Sequence, residues 1–425
     1  MEPQPSPSPN SNTRSRRFSR ILKILGVAAV IAVIGGAGWF YWNSLSGDKL
    51  PSIRIKQRAA GGYSLFVNGR PFVVKGVCYM PIPVGRTHDY NFWGDPEIWK
   101  TDGKLMKEAG INTVRFYRDG KNPVQVRSFI HGLYKQYGVR SLLGHDLGFW
   151  DWPPPNYGLP EFREKVKSEV LQMVERYKDE PGIFGWILGN ENNYSFEVMN
   201  VQAWTTPELE AIPDLNERAK EKARIYYSFV NEVAQAIKKI DPVHPVIMGV
   251  GEVKSLGPAA DVAKDVDIIG MIIYRGPGFG NLFDQIRKRF DRPVLLIEWG
   301  ADSFNVVTGK EVQDIQADFI KFQWRDIDRN TAVKNPKGNC LGGTLFEWHD
   351  EWWKANEHSQ DSWRVQEKEG QFPNAAYYFD YDQPNRLNMN EEWYGIVSLV
   401  PKKGSQKIDG RQPKKAYAVL KELWR

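Results

Sequence analysis

Cysteine is nearly absent: Cys78 and Cys340 are the only two in 425 residues. They are too few for a disulfide scaffold, and they fall at opposite ends of their expected strands, which favours two buried free thiols. Also missing are a Gly-x-Ser-x-Gly nucleophile elbow, a His-Glu-x-x-His zinc helix and a Gly-rich phosphate loop ending in Lys-Ser/Thr. Serine-hydrolase, zinc-peptidase and P-loop chemistry therefore have no carrier here, and neither a cofactor nor a catalytic metal is expected. Asp380, Asp382, Asn385 and Glu391 match no calcium-loop spacing and read as a solvated turn. Net charge is scarce as well. Glu2 against Arg14, Arg16, Arg17, Arg20 and Lys23 puts +4 of the total +6 into the first 23 residues, leaving +2 for everything else. A near-neutral remainder gives no electrostatic reason to expect a nucleic-acid partner.

What is present begins with a separable N-terminal unit. Residues 1–23 are Pro/Ser-rich and then basic, which suits a disordered cytoplasmic tail. Residues 24–42 are uninterrupted apolar or aromatic residues ending in Trp39-Phe-Tyr-Trp42, just long enough at the helical rise to span a bilayer. The basic flank sets the N-terminus inside, so a single-pass anchor is expected, with the rest of the chain in the periplasm or at the cell surface. A cleaved signal peptide is the rival, weakened by the length of the run and the lack of an Ala-x-Ala site. A linker over 43–60 then leads into a catalytic unit over 61–425.

That unit is rich in aromatics, with 16 Trp, 18 Tyr and 21 Phe in the whole chain, and flat apolar faces suit pyranose rings as well as cores. After a hairpin turning at Asn68-Gly69, eight strand-like runs can be counted: Phe72–Tyr79, Asn112–Tyr117, Arg140–Asp146, Gly182–Asn190, Val246–Gly251, Val266–Tyr274, Pro293–Gly300 and Cys340–Trp348. Helical patterns alternate with them, among them Glu161–Lys178, Leu215–Lys239, Val312–Asp328 and Pro413–Trp424. The alternation predicts an α/β fold, a (β/α)8 TIM barrel with enlarged loops, whose chemistry sits at the C-terminal strand ends. Glu191 closes the fourth run and Glu298 lies near the end of the seventh, so both can rise into one cleft. Two such carboxyl groups are what a retaining glycosidase needs: one to protonate the leaving oxygen, one to attack the anomeric carbon.

Four runs, Asn68-Gly-Arg-Pro-Phe-Val-Val-Lys-Gly-Val77, Met106-Lys-Glu-Ala-Gly-Ile-Asn-Thr-Val-Arg115, Trp186-Ile-Leu-Gly-Asn-Glu191 and Pro293-Val-Leu-Leu-Ile-Glu-Trp-Gly300, stand in an order that resembles the catalytic barrel of glycoside hydrolase family two. More loosely they resemble family five and the other retaining glycosidases of clan A. The resemblance covers residues 60–350, with weaker echoes at Glu392-Trp-Tyr-Gly-Ile-Val397 and Pro413-Lys-Lys-Ala-Tyr417. It implies Glu191 as general acid/base, Glu298 as nucleophile and Asn190 as donor to the sugar 2-hydroxyl. It further implies Arg115 and Tyr274 beside the nucleophile, Trp348 as the floor of the cleavage subsite and His145 along the cleft. Two roles for two glutamates require two environments, a drier and more negative one for Glu191 and one that favours the charged form of Glu298.

The sequence also departs from that family. Cys78-Tyr79-Met80-Pro81 replaces the usual Asn-containing end of the first strand, and Ile272 stands where an Asn usually precedes the sixth-strand tyrosine. The family's large N-terminal sandwich domains have no counterpart in residues 1–60, so galactosidase, mannosidase or glucuronidase specificity is not expected to carry over. Residues 349–412 form a long loop with Trp352, Trp353, Trp363, Tyr377, Tyr378, Phe379, Tyr381, Trp393 and Tyr394. Loops of that length are usually functional, and this one is expected to wall the cleft for an oligo- or polysaccharide. The function expected is retaining hydrolysis of a β-linked glycan. Transglycosylation is the alternative, as is a catalytically inactive glycan-binding protein associated with polysaccharide synthesis or export.

Overall fold

The computed structural model describes residues 49–197, 203–354, 361–370, 372–373 and 387–425. The chain divides into Met1–Leu50 and Pro51–Arg425, and the fold below is that of the second unit. The expected anchor over 24–42 and the Asp380, Asp382 and Asn385 turn lie outside the described residues. No helix among the described residues is long and apolar enough to cross a membrane.

Eight parallel strands close into a barrel in sequence order: Val74–Cys78, Thr113–Phe116, Arg140–His145, Ile183–Leu188, Val246–Gly251, Ile268–Ile272, Val294–Glu298 and Cys340–Leu345. They are called the first to eighth strands below. Each falls inside one of the runs expected from the sequence. Helices return the chain between them, including Pro96–Glu108, Pro123–Tyr137, Pro160–Tyr177, Leu215–Ile240 and Gln313–Arg329, and Lys415–Trp424 follows the eighth strand. Asp95 and Asn122 cap their helices by accepting from backbone amides ahead of a proline in the first turn, the arrangement that satisfies otherwise unpaired N–H groups.

The barrel interior is apolar, with Val74, Leu142, Phe184, Ile187, Ile247, Ile268, Leu295 and Ile297 in one cluster. A three-stranded antiparallel sheet, Ile53–Gln57, Tyr63–Val67 and Arg70–Phe72, adds Tyr63, Leu65 and Val67 to that cluster and plugs the N-terminal end of the barrel. Its first strand occupies part of the stretch read as a linker. Its turn uses Asn68 and Gly69, both with positive φ (52° and 77°), the geometry of a tight hairpin. Cys78 and Cys340 are both buried and free.

A buried ionic staple holds the C-terminal segment against the barrel. Asp102, on the helix after the first strand, accepts from Tyr79 Oη (2.7 Å) and from Arg411 Nε (2.9 Å) and Nη2 (3.1 Å), and lies 3.2 Å from His349 Nε2. Burial alone would raise this carboxyl, but His349 and Arg411 reverse that and hold it well below the usual carboxylate range. Burial pushes His349 itself down, so Arg411 is the lasting counter-charge at neutral pH. Asp102→Ala would strand the buried guanidinium and is expected to cost roughly 3–5 kcal/mol in unfolding free energy at pH 7. Because the folded-state carboxyl lies below its unfolded value, this stability is fully present above about pH 4 and is lost as pH falls. Urea titrations should therefore show the gap between wild type and variant closing in acid.

Candidate active site

The fourth strand ends in a turn that requires glycine at two positions. Gly189 adopts φ +86°, and a Cβ at Gly249 on the neighbouring strand would collide with its carbonyl oxygen. Glu191 follows at φ 59°, ψ 21°, a left-handed backbone rare for a side-chain-bearing residue. Such conformations cost on the order of 1 kcal/mol or more and concentrate at functional sites. The turn is pinned by Asn192, whose side chain accepts from Asn190 N (2.6 Å) and donates to Asp146 O (2.8 Å) and Tyr157 Oη (2.7 Å).

Glu298 ends the seventh strand and is held by three donors. Its Oε1 accepts from Arg115 Nη1 at 2.7 Å and Tyr117 Oη at 2.9 Å, and its Oε2 accepts from Tyr274 Oη at 2.9 Å. Burial, reinforced by neighbouring negative groups, holds both tyrosine hydroxyls well above their ordinary range, so they remain donors. Arg115 also reaches Ile297 O (3.0 Å) and Asn190 Oδ1 (2.6 Å). A guanidinium has no acceptor, so the Asn190 oxygen must face it and the amide NH2 is left to donate elsewhere.

Glu191 has the opposite setting. Burial, then the charges of Glu298 and Glu391, push its carboxyl up to about 8, against the smaller lowering effects of Arg115 and a hydrogen bond from Tyr194. Cys78 lies beneath the site, donating to Ile297 O at 3.4 Å, and burial pushes its thiol up to about 12, which leaves it inert.

The structure thus brings Arg115, Asn190, Tyr274 and Glu298 into one hydrogen-bonded group. His145 stands at the end of the third strand, where its Nδ1 accepts from Leu147 N at 3.0 Å and its carbonyl from Gly189 N at 2.8 Å. It props the turn that carries Glu191. Trp348 requires a correction. It was expected to floor a subsite, but it is fully buried, with its ring 5.9 Å from His349 and 6.2 Å from Tyr417 of the last helix. The eighth strand ends at Leu345, so strand alternation no longer governs position 348, and the indole enters the layer between barrel and helices. Phe346 instead clusters with Cys78, Tyr117, Tyr274 and Tyr394 at the site.

Sequence reasoning also missed Tyr117. Its signal was available, since it lies two residues beyond Arg115 and strand alternation puts both on one face. Of the long aromatic loop, Trp353 and Tyr394 are buried and Trp393 stacks on Phe304 at 4.8 Å. Tyr377, Tyr378, Phe379 and Tyr381 lie outside the described residues. Among the described residues, the most exposed aromatic side chains are Trp150 and Trp152, 53% and 87% exposed, on the loop after the third strand.

No family model matches the chain. A 1,3-beta-glucanosyltransferase of Aspergillus fumigatus is 24% identical over 197 residues, 45% of this chain and 36% of that protein. A beta-galactosidase of Leuconostoc mesenteroides is 25% identical over 146 residues, 33% of this chain and 13% of that one. Among solved structures, a beta-glucuronidase of Bacteroides uniformis aligns over 88% of this chain and 37% of its own, at a TM-score of 0.57 and 16% identity. The barrel resembles that of glycoside hydrolase family two. In each case the chain spans well under half of the relative's length, and the matches to curated proteins cover less than half of this chain.

Proposed function

We propose that the protein is a retaining β-glycosidase acting by double displacement. The observation that carries this reading is the contrast between the two glutamates, Glu298 held by three donors and Glu191 raised to about 8 by burial and by Glu298 itself. In the first step a Glu298 oxygen bonds to the anomeric carbon as the glycosidic bond breaks, and Glu191 gives its proton to the departing oxygen. In the second, Glu191 takes a proton from the attacking hydroxyl, and the bond between the anomeric carbon and Glu298 breaks. Asn190, with its oxygen committed to Arg115, is oriented to donate to the 2-hydroxyl. Incubation with an activated 2-fluoro glycoside should leave a covalent adduct on Glu298, located by mass spectrometry. An adduct on another residue would sink the assignment.

The attacking hydroxyl can belong to water or to another sugar. Similarity to a protein named a glucanosyltransferase favours testing transfer directly, and products longer than the oligosaccharide supplied would reveal it. Exposed Trp150 and Trp152, on a loop tied through Asn192 to the Glu191 turn, support an extended glycan. Trp152→Ala is expected to raise KM for a polymer several-fold, with little effect on a short activated substrate. The apolar run at 24–42 supports an anchored enzyme with its barrel outside the cytoplasm. Protease added to intact cells should then degrade the barrel once any outer layer is permeabilised; a barrel that stays protected would reverse the topology.

A further inference from the structure

The end of the barrel that carries the glutamate pair holds three more carboxyl groups. Glu347 and Glu351 follow the eighth strand and are 1% and 2% exposed, and Glu391 comes from the later loop. Lys354 is the cation among them, 3.2 Å from Glu351 Oε2 and 3.0 Å from Glu391 Oε2, so its charge is already matched. Oε1 of Glu347 and Oε1 of Glu351 are buried, with no hydrogen-bond partner among the described residues. The cluster borders the chemistry: Glu351 feels the charge of Glu298, and the charge of Glu391 raises Glu191. Buried polar atoms are normally satisfied, and two unpartnered carboxyl oxygens at the end of the barrel that carries the glutamate pair suit the hydroxyl groups of a sugar. Among the described residues no group of side chains could hold a metal ion there.

We propose that Glu347 and Glu351 clasp the hydroxyl groups of the sugar at the cleaved bond, and that this subsite selects a neutral glycosyl unit against a uronic acid. The inference rests on the glycosidase reading and deepens it. A sugar carboxylate placed here would find the nearby lysine already shared by Glu351 and Glu391, and would add an unpaired charge beside the charges of Glu391 and Glu298 in a dry site, where like charges repel strongly. Burial and Glu351 push the Glu347 carboxyl well up, and burial with Glu391 pushes Glu351 up to about 7, despite Lys354. Near neutral pH the pair can therefore both donate to and accept from sugar hydroxyls. The barrel it resembles includes a beta-glucuronidase, so the preference inferred here runs against the fold-level likeness.

The test is binding of matched inhibitors to the full chain by calorimetry at pH 7. Isofagomines of gluco and galacto configuration would be compared with their C6-carboxylate counterparts, which differ only in the group the subsite reads. The hydroxymethyl member of at least one pair should bind tenfold or more tightly than its carboxylate. Glu347→Gln and Glu351→Gln, each first shown to melt cooperatively, should narrow that ratio to threefold or less. Equal or tighter binding of the carboxylates, a ratio unchanged in both variants, or no binding of any member would overturn the proposal. Trapping at Glu298 is read separately, so a failure of double displacement and a failure of this subsite leave different signatures.

Discussion

Glu298→Gln is expected to lower kcat/KM by on the order of 10⁴-fold, because an amide cannot form the glycosyl ester and the groups around it act as one unit. The substitution keeps the shape of the side chain and one acceptor oxygen, but it removes the anion that Arg115, Tyr117 and Tyr274 surround. Arg115 is buried at 1% exposure and keeps Asn190 Oδ1 and Ile297 O as partners. Gln should therefore destabilise the fold less than Ala, which would leave the guanidinium facing an empty space, at roughly 3–5 kcal/mol. Measuring kcat/KM and thermal unfolding on both variants separates loss of chemistry from loss of fold. A folded Glu298→Gln protein retaining a tenth of wild-type activity would refute the assignment, whereas an inactive protein that no longer melts cooperatively would only report the Arg115 defect. The 2-fluoro glycoside adduct should be missing from the Gln variant.

The barrel was legible because parallel strands buried on both faces appear as short apolar runs between helical patterns, and the eight runs contain all eight observed strands. Helix ends agreed within a residue or two; Leu215–Ile240 and Gln313–Arg329, for example, lie almost on their expected spans. The glutamate pair was legible for a related reason: Glu298 ends its strand and Glu191 stands in the turn three residues past the end of its own, and a parallel barrel sends all such ends to one side. Contacts made outside the strands were not legible. Trp348 lies beyond the last residue of its strand, where no periodicity says which way a side chain turns. Asp102 lies 247 residues from His349 and 309 from Arg411, and they meet only because the C-terminal segment folds back over the first helix. Glu347 and Glu351 look in sequence like ordinary charged loop residues; their burial and their unpartnered oxygens emerge only from the structure.

Glu191→Gln is expected to reduce kcat/KM by about 10²- to 10⁴-fold on a substrate whose leaving group needs a proton, and far less on one with an acidic phenol leaving group. In the wild type the raised carboxyl sets the direction of the pH dependence. The acid is functional while protonated, so the activity it supports is present below about pH 8 and lost as pH rises through that value. The shift has a testable origin. After burial, its next two causes are the charges of Glu298 and Glu391, so Glu391→Gln removes one of the negative neighbours that hold the proton on Glu191. The alkaline limb of the kcat/KM profile should then move to lower pH, with activity at pH 6 largely kept. Lys354, which Glu391 now shares with Glu351, would turn its full charge toward Glu351 and lower that carboxyl too. An alkaline limb that stays in place in Glu391→Gln would mean that burial and Glu298 alone set the acid, and a profile without any alkaline limb would remove Glu191 from that role.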